Sequence, residues 1–164
     1  MLWRLIDLDP TWGLWRLMLR LPICLYRAHL GWLLGERFLL LTHLGRKTGL
    51  PRQTVLEVVR KDAATDTFFV ASGWGEKANW FRNIQQTPEV IVQVGRRRLA
   101  ALATRLTEAE AERELRDYAA RYPRAFRFLA SLIAGQHLSH TEADFRTLAQ
   151  SFPLVALRPR DLMP

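Results

Sequence analysis

Residues 41–54, LTHLGRKTGLPRQT, and residues 71–84, ASGWGEKANWFRNI, each bring glycine, small hydroxyl residues and basic side chains to the end of an apolar run. In the first, Gly45 and Gly49 bracket Arg46, Lys47 and Thr48. Glycine admits positive φ, so successive backbone N–H groups of such a turn are expected to line an anion-binding concavity. Arg46 and Arg52 add planar fork donors suited to phosphate or carboxylate, Lys47 a mobile point charge and Thr48 a hydroxyl. The second stretch adds Ser72, Gly73, Lys77, Asn83 and the indoles of Trp74 and Trp80. If the two converge, one cradles a phosphate, while the indoles and the backbone around Val55 and Leu56 flank a planar ring. That is a site for a phosphorylated aromatic cofactor. Taken alone, a G-x-x-x-G turn with basic residues is equally the pattern of a solvated hairpin.

Several other chemistries lack their residues. GRKTG is not G-x-x-x-x-G-K-[ST], and no G-x-G-x-x-G opens a helix after a strand, so nucleotide hydrolysis and a dinucleotide fingerprint are unsupported. No G-x-S-x-G elbow or H-E-x-x-H occurs. His137 and His140, with Asp144 nearby, fall in an expected loop without a cysteine partner, short of the ligand set that a zinc site needs. His43 ends an apolar strand and reads as a core-edge histidine or a pocket wall, the former being the simpler expectation.

Length and charge bound the rest. A chain of 164 residues, 49% hydrophobic and 24% charged, suits one folded unit with a real core and argues against disorder. The net charge of +8 comes mostly from arginine, Lys47, Lys61 and Lys77 being the only lysines, and would favour a polyanionic cofactor, nucleic acid or an anionic membrane face. Nucleic acid is disfavoured: there is no zinc-finger spacing, RNP-like motif or long basic helix. Arg96, Arg97 and Arg98 fall at a hairpin turn and read as a solvated sheet edge that discourages pairing. Cys24 is the sole cysteine, so no disulfide forms within the chain and a reducing, cytoplasmic compartment is expected.

The elements that must position these residues follow from periodicity. Residues 38–56, FLLLTHLGRKTGLPRQTVL, read as strand, turn, strand, with the second strand continuing over 54–60. A polar connection, KDAATDT, leads to a third strand at Phe68–Ala71, and ANWFRNIQQ (78–86) is a short helix stopped before Pro88. Val90, Val92 and Val94 alternate, and 99–105 is the return strand. Thr107 and Glu110 form a capping box that opens a helix reaching Tyr122. Pro123 restarts a helix towards Ile133, residues 141–150 form another, and 153–157 a last strand ended by Pro159. Antiparallel strands with intervening helices make an α+β fold, most simply a small barrel with helices around it.

Residues 1–35 read as a separate amphipathic helical segment ahead of a folding unit at 36–164. Four of the six tryptophans precede residue 33. Asp9–Pro10 opens a helix whose wide apolar arc leaves Arg16 and Arg20 on a narrow polar one, and Pro22 breaks it. Arg16, Arg20, Arg27 and His29 interrupt the apolar stretch too often for a spanning helix. Two readings stay open: a helix packed over the sheet or against a second copy in a homodimer, and peripheral contact through residues 1–34 with the inner face of a membrane.

The stretches LTHLGRKTGLPRQTVLEV and ASGWGEKANWFRNIQQTPEVIVQVGRRR resemble the deazaflavin-dependent nitroreductase family. Its members are similar in having T-x-x-G-R-K-[ST]-G-x-P-R-x-T-P-L, then A-S-x-G-G, then W-[YF]-x-N-L-x-A-x-P and V-x-V-x-V-G. The resemblance is dense over about residues 36–105, and the PLVALRP ending is similar to the family's last strand. It implies a split β-barrel of the flavin-reductase type, of about six antiparallel strands, that binds the deazaflavin coenzyme F-420, with FMN as the alternative. Arg46, Lys47 and Thr48, with Gly49 and Arg52, would hold the coenzyme's phosphate. Thr54, Val55 and Leu56 would line its ring through backbone groups, and Ser72, Gly73, Trp74, Lys77, Trp80 and Asn83 would complete the pocket. The implied reaction is hydride transfer to an apolar acceptor such as a quinone or nitro compound. A non-catalytic carrier of a flavin, tetrapyrrole or fatty acid is the competing reading. Trp74 stands where the family has glycine and Val55 where many members have proline. The C-terminal segment offers Phe145 but no tyrosine.

Overall fold

The computed structural model describes residues 35–124, 126, 127 and 142–160. The segment before residue 35, Cys24, His137, His140 and all but the first residues of the helix expected to run from Pro123 towards Ile133 lie outside them. Six strands form a closed, wholly antiparallel barrel in the order β1-β2-β3-β6-β5-β4, with β4 returning to β1. They are β1 (Phe38–Leu44), β2 (Pro51–Asp62), β3 (Thr67–Ala71), β4 (Glu89–Val94), β5 (Arg97–Arg105) and β6 (Leu154–Pro159). Three helices interleave: α1 (Asn79–Gln86) between β3 and β4, α2 (Glu108–Arg121) after β5, and α3 (Glu142–Ser151) before β6.

Strand alternation makes two cores. Leu39 and Leu41 of β1, Phe68 and Val70 of β3, Val90, Val92 and Val94 of β4, and Val155 and Leu157 of β6 share one cluster with residues of β2 and β5. A cluster fed by all six strands is the barrel interior. The intervening residues, Phe69 of β3 and Leu154 and Ala156 of β6, face outwards onto Leu115, Tyr118 and Ala119 of α2 and Phe145 and Leu148 of α3. Trp80, Phe81 and Ile84 of α1 join the interior cluster, so α1 plugs the barrel. The capping box at α2 forms as its spacing requires: Thr107 Oγ1 accepts from the Glu110 N–H, and Glu110 Oε2 accepts from the Thr107 N–H at 2.8 Å.

One expectation changes. β6 runs through Pro159, which pairs with Ala101; proline is tolerated at a strand end, where a missing donor costs little. The arginines at 96–98 fall where β5 runs past β6: Arg97 and Arg98 pair with β4, while β6 joins β5 only from Ala101, which leaves them on an open stretch of strand as expected. Arg97 also ion-pairs with Asp66 of the β2–β3 turn, which neighbours Lys61.

The entry to α1 is fixed by a tight turn. Ser72 is fully buried; its N–H donates to the Pro153 carbonyl at 3.0 Å and its Oγ to the Gly75 carbonyl at 2.7 Å. Gly75 holds φ +59, and a Cβ there would lie 2.9 Å from the Ser151 carbonyl at the end of α3. Gly75→Ala is therefore expected to cost more than the ~1–2 kcal/mol of a left-handed non-glycine residue, because the clash adds to it. A urea melt of the variant checks this, with a midpoint unchanged from wild type as the contrary result.

Candidate functional site

The two stretches do converge. A cleft of about 570 Å³ opens between the β1–β2 turn and the start of α1. His43, Arg46, Lys47, Thr48, Arg52, Gln53 and Thr54 line one side, and Trp74, Ala78, Asn79, Trp80 and Asn83 the other. Four cations or potential cations line it besides neutral polar groups and indoles, and among the described residues no Asp or Glu does. Lys47 and Arg52 have no carboxylate partner among the described residues, so their charge is available to a ligand. The volume falls within the range usual for small-molecule sites.

The basic turn is built differently from the concavity expected of it. The N–H groups of Thr48 and Gly49 donate back to the Gly45 carbonyl at 3.1 and 2.7 Å, and the Gly45 N–H donates to Leu50 at 2.9 Å. The Arg46 N–H is taken by Asn83 Oδ1 at 3.1 Å. The turn thus spends most of its backbone donors on its own closure and on α1. Gly49, at φ +65, is a conformational requirement of that closure rather than a cleft wall. The free backbone donors come instead from α1: no side chain caps its N-terminus, and the first intrahelical bond is made by the Arg82 N–H to Ala78. The N–H groups of Asn79, Trp80 and Phe81 therefore lie at the positive end of the helix dipole, beside a cleft edged by Ala78, Asn79 and Trp80.

Arg46 bridges turn and helix. Its guanidinium NH1 donates to Asn83 Oδ1 at 2.9 Å and to Asn79 Oδ1 at 3.2 Å, and NH2 to Asn79 Oδ1 at 3.3 Å. The fork is held in place before any ligand arrives. Asn83, 5% exposed, completes the link by meeting His43 Nδ1 with Nδ2 at 3.1 Å.

Of the other expected site residues, Trp80 is a buried wall at 8% exposure, packed edge-on against Phe81, whereas Trp74 stands 81% exposed at the rim. Gly73 and Lys77 are exposed outside the cleft lining, and Ser72 lies in the interior hydrogen bonds already described. Val55 and Leu56 also lie off the lining, Leu56 continuing the inward face of Thr54 into the core. Their backbone has a distinct setting: β3 pairs with β2 only from Val58 onwards, so residues 51–57 pair with β1 alone. One edge of β2 there has no strand partner among the described residues.

His43, Gln53 and Asn79 line the cleft although the motif did not single them out as ligands. His43 is 5% exposed, and burial holds its imidazole below the ordinary histidine pKa, assisted by the charge of Arg52 and opposed by a hydrogen bond with the Leu44 backbone. Its folded pKa lies below the unfolded value of about 6.5, so its contribution to stability is complete above that pH. It is lost as pH falls from there through the folded pKa, at no more than about 1.4 kcal/mol per pH unit. Denaturant melts at pH 7.5 and 5.5 are expected to show a smaller acid loss in His43→Gln than in wild type. Identical losses would contradict the assignment. This window lies above that of Asp62, Asp66 and Glu110, whose hydrogen bonds depress carboxyls that titrate at lower pH.

A second cleft, about 700 Å³, lies between β2 and α2, but its β2 charges are already paired: Arg60 with Glu114 at 2.6 Å and Lys61 with Glu36 at 2.8 Å. Among the described residues no group of His, Cys, Asp and Glu could hold a metal, and no helix is long and apolar enough to cross a membrane.

A closed six-stranded antiparallel barrel, plugged by one helix and opening between a basic turn and two indoles, defines the class of split barrels. The model of the F420H(2)-dependent quinone reductase family matches residues 24–128, more than half of the sequence, and the chain belongs to that family. It is accordingly an enzyme, a deazaflavin-dependent reductase. Three solved structures share the fold. An F420-H2 dependent reductase, FDR-A, aligns at 19% identity over 76% of this chain and 96% of its own, with a TM-score of 0.52. A protein of unknown function from Agrobacterium tumefaciens aligns at 18% identity over 94% of this chain and 58% of its own, with a TM-score of 0.53. A pyridoxamine 5'-phosphate oxidase-related, FMN-binding protein from Nostoc punctiforme aligns at 17% identity over 94% and 82%, with a TM-score of 0.51. No curated protein matches the sequence.

Proposed function

We propose that this reductase seats coenzyme F-420 in the cleft, with the acidic tail on Arg46, Lys47, Thr48 and Arg52, and that its acceptor is an apolar quinone. The observation that carries the reading is the charge of the lining: several basic side chains and an uncapped helix start, with no carboxylate among the described residues, beside the buried Trp80. A phosphodiester with carboxylates behind it matches that donor set, since guanidinium and ammonium bind both through charge-assisted hydrogen bonds. When bound, the coenzyme supplies the hydride. The protein's residues supply position: Arg46, held by Asn79 and Asn83, fixes where the phosphate sits, and Trp80 and Thr54 set the depth of the ring. The strand edge at 51–57 offers backbone donors and acceptors to a ring's polar rim. No side chain of the cleft has to act as a nucleophile; the rate comes from holding donor and acceptor in register.

The test is oxidation of reduced coenzyme by a soluble benzoquinone or naphthoquinone, followed as recovery of the oxidised ring's fluorescence. Turnover dependent on both enzyme and quinone supports the reading. Tight coenzyme binding with no quinone-dependent oxidation would move the acceptor to another class, and a protein that purifies with FMN and ignores deazaflavin would contradict the cofactor assignment.

A further inference from the structure

We infer that His43 is a neutral hydrogen-bond donor, fixed by Asn83 as the Nε2–H tautomer, which offers that proton to a carbonyl oxygen of the conjugated ring seated in the cleft. The inference rests on the function proposed above for the identity of the ring, but its tautomer part does not. It begins with the Asn83 amide. Two donors of Arg46 converge on one of its ends, the backbone N–H at 3.1 Å and guanidinium NH1 at 2.9 Å. That end must be the carbonyl oxygen, because an NH2 there would face two donors with nothing to accept. The other end is therefore the NH2, and it lies 3.1 Å from His43 Nδ1. Nδ1 must accept. A neutral imidazole accepting at Nδ1 carries its proton on Nε2, and an imidazolium would press a second N–H against the amide.

Apart from a contact with the Leu44 backbone, which favours protonation, the surroundings favour the same state. Among the described residues the charged groups that share the cleft with the ring are cations: Arg52, the register partner of His43 on β2, and Arg46 and Lys47 of the turn, with α1 contributing the uncharged Asn83. No carboxylate among the described residues lines the cleft to draw a positive charge onto the ring. Along β1, His43 follows Leu39 and Leu41 at strand period two, so it carries the inward face up to the cleft mouth, where it is part of the lining. A neutral imidazole N–H is a fit electrophile for a carbonyl that gains negative charge, since it strengthens its bond as charge develops without bringing a full cation into a cleft that already holds several. The carbonyl could belong to the coenzyme's ring or to the quinone. Both present the same chemistry, and the experiments separate them.

The first experiment needs no ligand: long-range 15N NMR of the histidines of the full chain, with His43→Gln to assign the signal. The expected spectrum shows Nε2 protonated and Nδ1 bare at pH 7, with protonation setting in only below the range of a free histidine. In Asn83→Asp the carboxylate asks for a proton on Nδ1, and the signal moves to the Nδ1–H or doubly protonated form. A wild-type His43 that is Nδ1–H, or that titrates as a free histidine, would overturn the inference whatever the fate of the coenzyme reading. The second experiment measures coenzyme affinity by fluorescence, then kcat and KM with a soluble quinone, in wild type, His43→Gln and His43→Leu, each checked by thermal melt. Losing the donor is expected to cost about tenfold, equivalent to one hydrogen bond, in His43→Leu and less in His43→Gln, which keeps an N–H. A loss in affinity for the coenzyme alone puts the carbonyl on the coenzyme, and a loss only in the quinone parameters puts it on the acceptor. Folded His43→Leu with all values unchanged overturns the inference. A wild type that binds no deazaflavin sinks the functional reading and leaves the tautomer result standing.

Discussion

Alanine at both Arg46 and Lys47 is expected to weaken binding of the deazaflavin coenzyme by about 10²- to 10⁴-fold. Hydrogen bonds to charged groups each contribute about 1.5–3 kcal/mol, and 1.4 kcal/mol is a factor of ten. The two residues differ in what else they do. Lys47 is exposed and has no ion-pair partner among the described residues, so Lys47→Ala alone should leave the melting midpoint within experimental scatter. Arg46 also ties the turn to α1 through Asn79 and Asn83, so its loss is expected to lower stability as well. Calorimetric titration of both single variants and the double variant, alongside thermal melts, separates ligand contact from scaffold. A double variant that binds as tightly as wild type would remove the turn from the site.

The second large effect is on the barrel plug. Trp80 is 8% exposed, belongs to the interior cluster and also lines the cleft, with its ring 5.9 Å from that of Phe81 at an interplanar angle of 90°. Trp80→Ala is expected to destabilise the fold by about 3–5 kcal/mol, the usual cost of emptying a buried tryptophan site. Because domains are marginally stable, that is a large share of the total. Trp80→Phe should recover most of the stability while leaving a shallower wall against the ligand ring. Denaturant midpoints for the three proteins check the order wild type, Phe, Ala. A near-neutral Trp80→Ala would mean that α1 does not plug the barrel.

What the sequence made legible was local or periodic. Thr107 and Glu110 lie three residues apart, and a capping box needs nothing beyond that spacing. Strand alternation in VIVQV gave the inward set Val90, Val92 and Val94. What escaped it was set by contacts across the fold. Arg46 meets Asn83 thirty-seven residues away and His43 meets it forty away, so a motif that placed both in one pocket could not tell a ligand contact from an internal brace. Ser72 shows the same ambiguity: a serine beside glycine reads as part of the pocket, but the fully buried hydroxyl is consumed in setting the turn before α1. The arginines after Gly95 read as a solvated edge, and they do lie where β5 outruns β6, but closure of the sheet depends on β4 reaching β1, a pairing that no local pattern encodes. His43 was half legible: its parity with Leu39 and Leu41 points it inwards, while its partner could only come from the structure.

The central claim is that an acidic tail, not the ring alone, draws the ligand to the basic turn and the open start of α1. Parallel titrations of the purified chain with coenzyme F-420 and with its ring-and-sugar-alcohol core, which lacks the phosphodiester and glutamates, test it most directly. At low ionic strength the full coenzyme is expected to bind at least about a hundredfold more tightly, an advantage that shrinks in added salt as exposed charges are screened. Equal affinity for the two, indifferent to salt, would contradict the account.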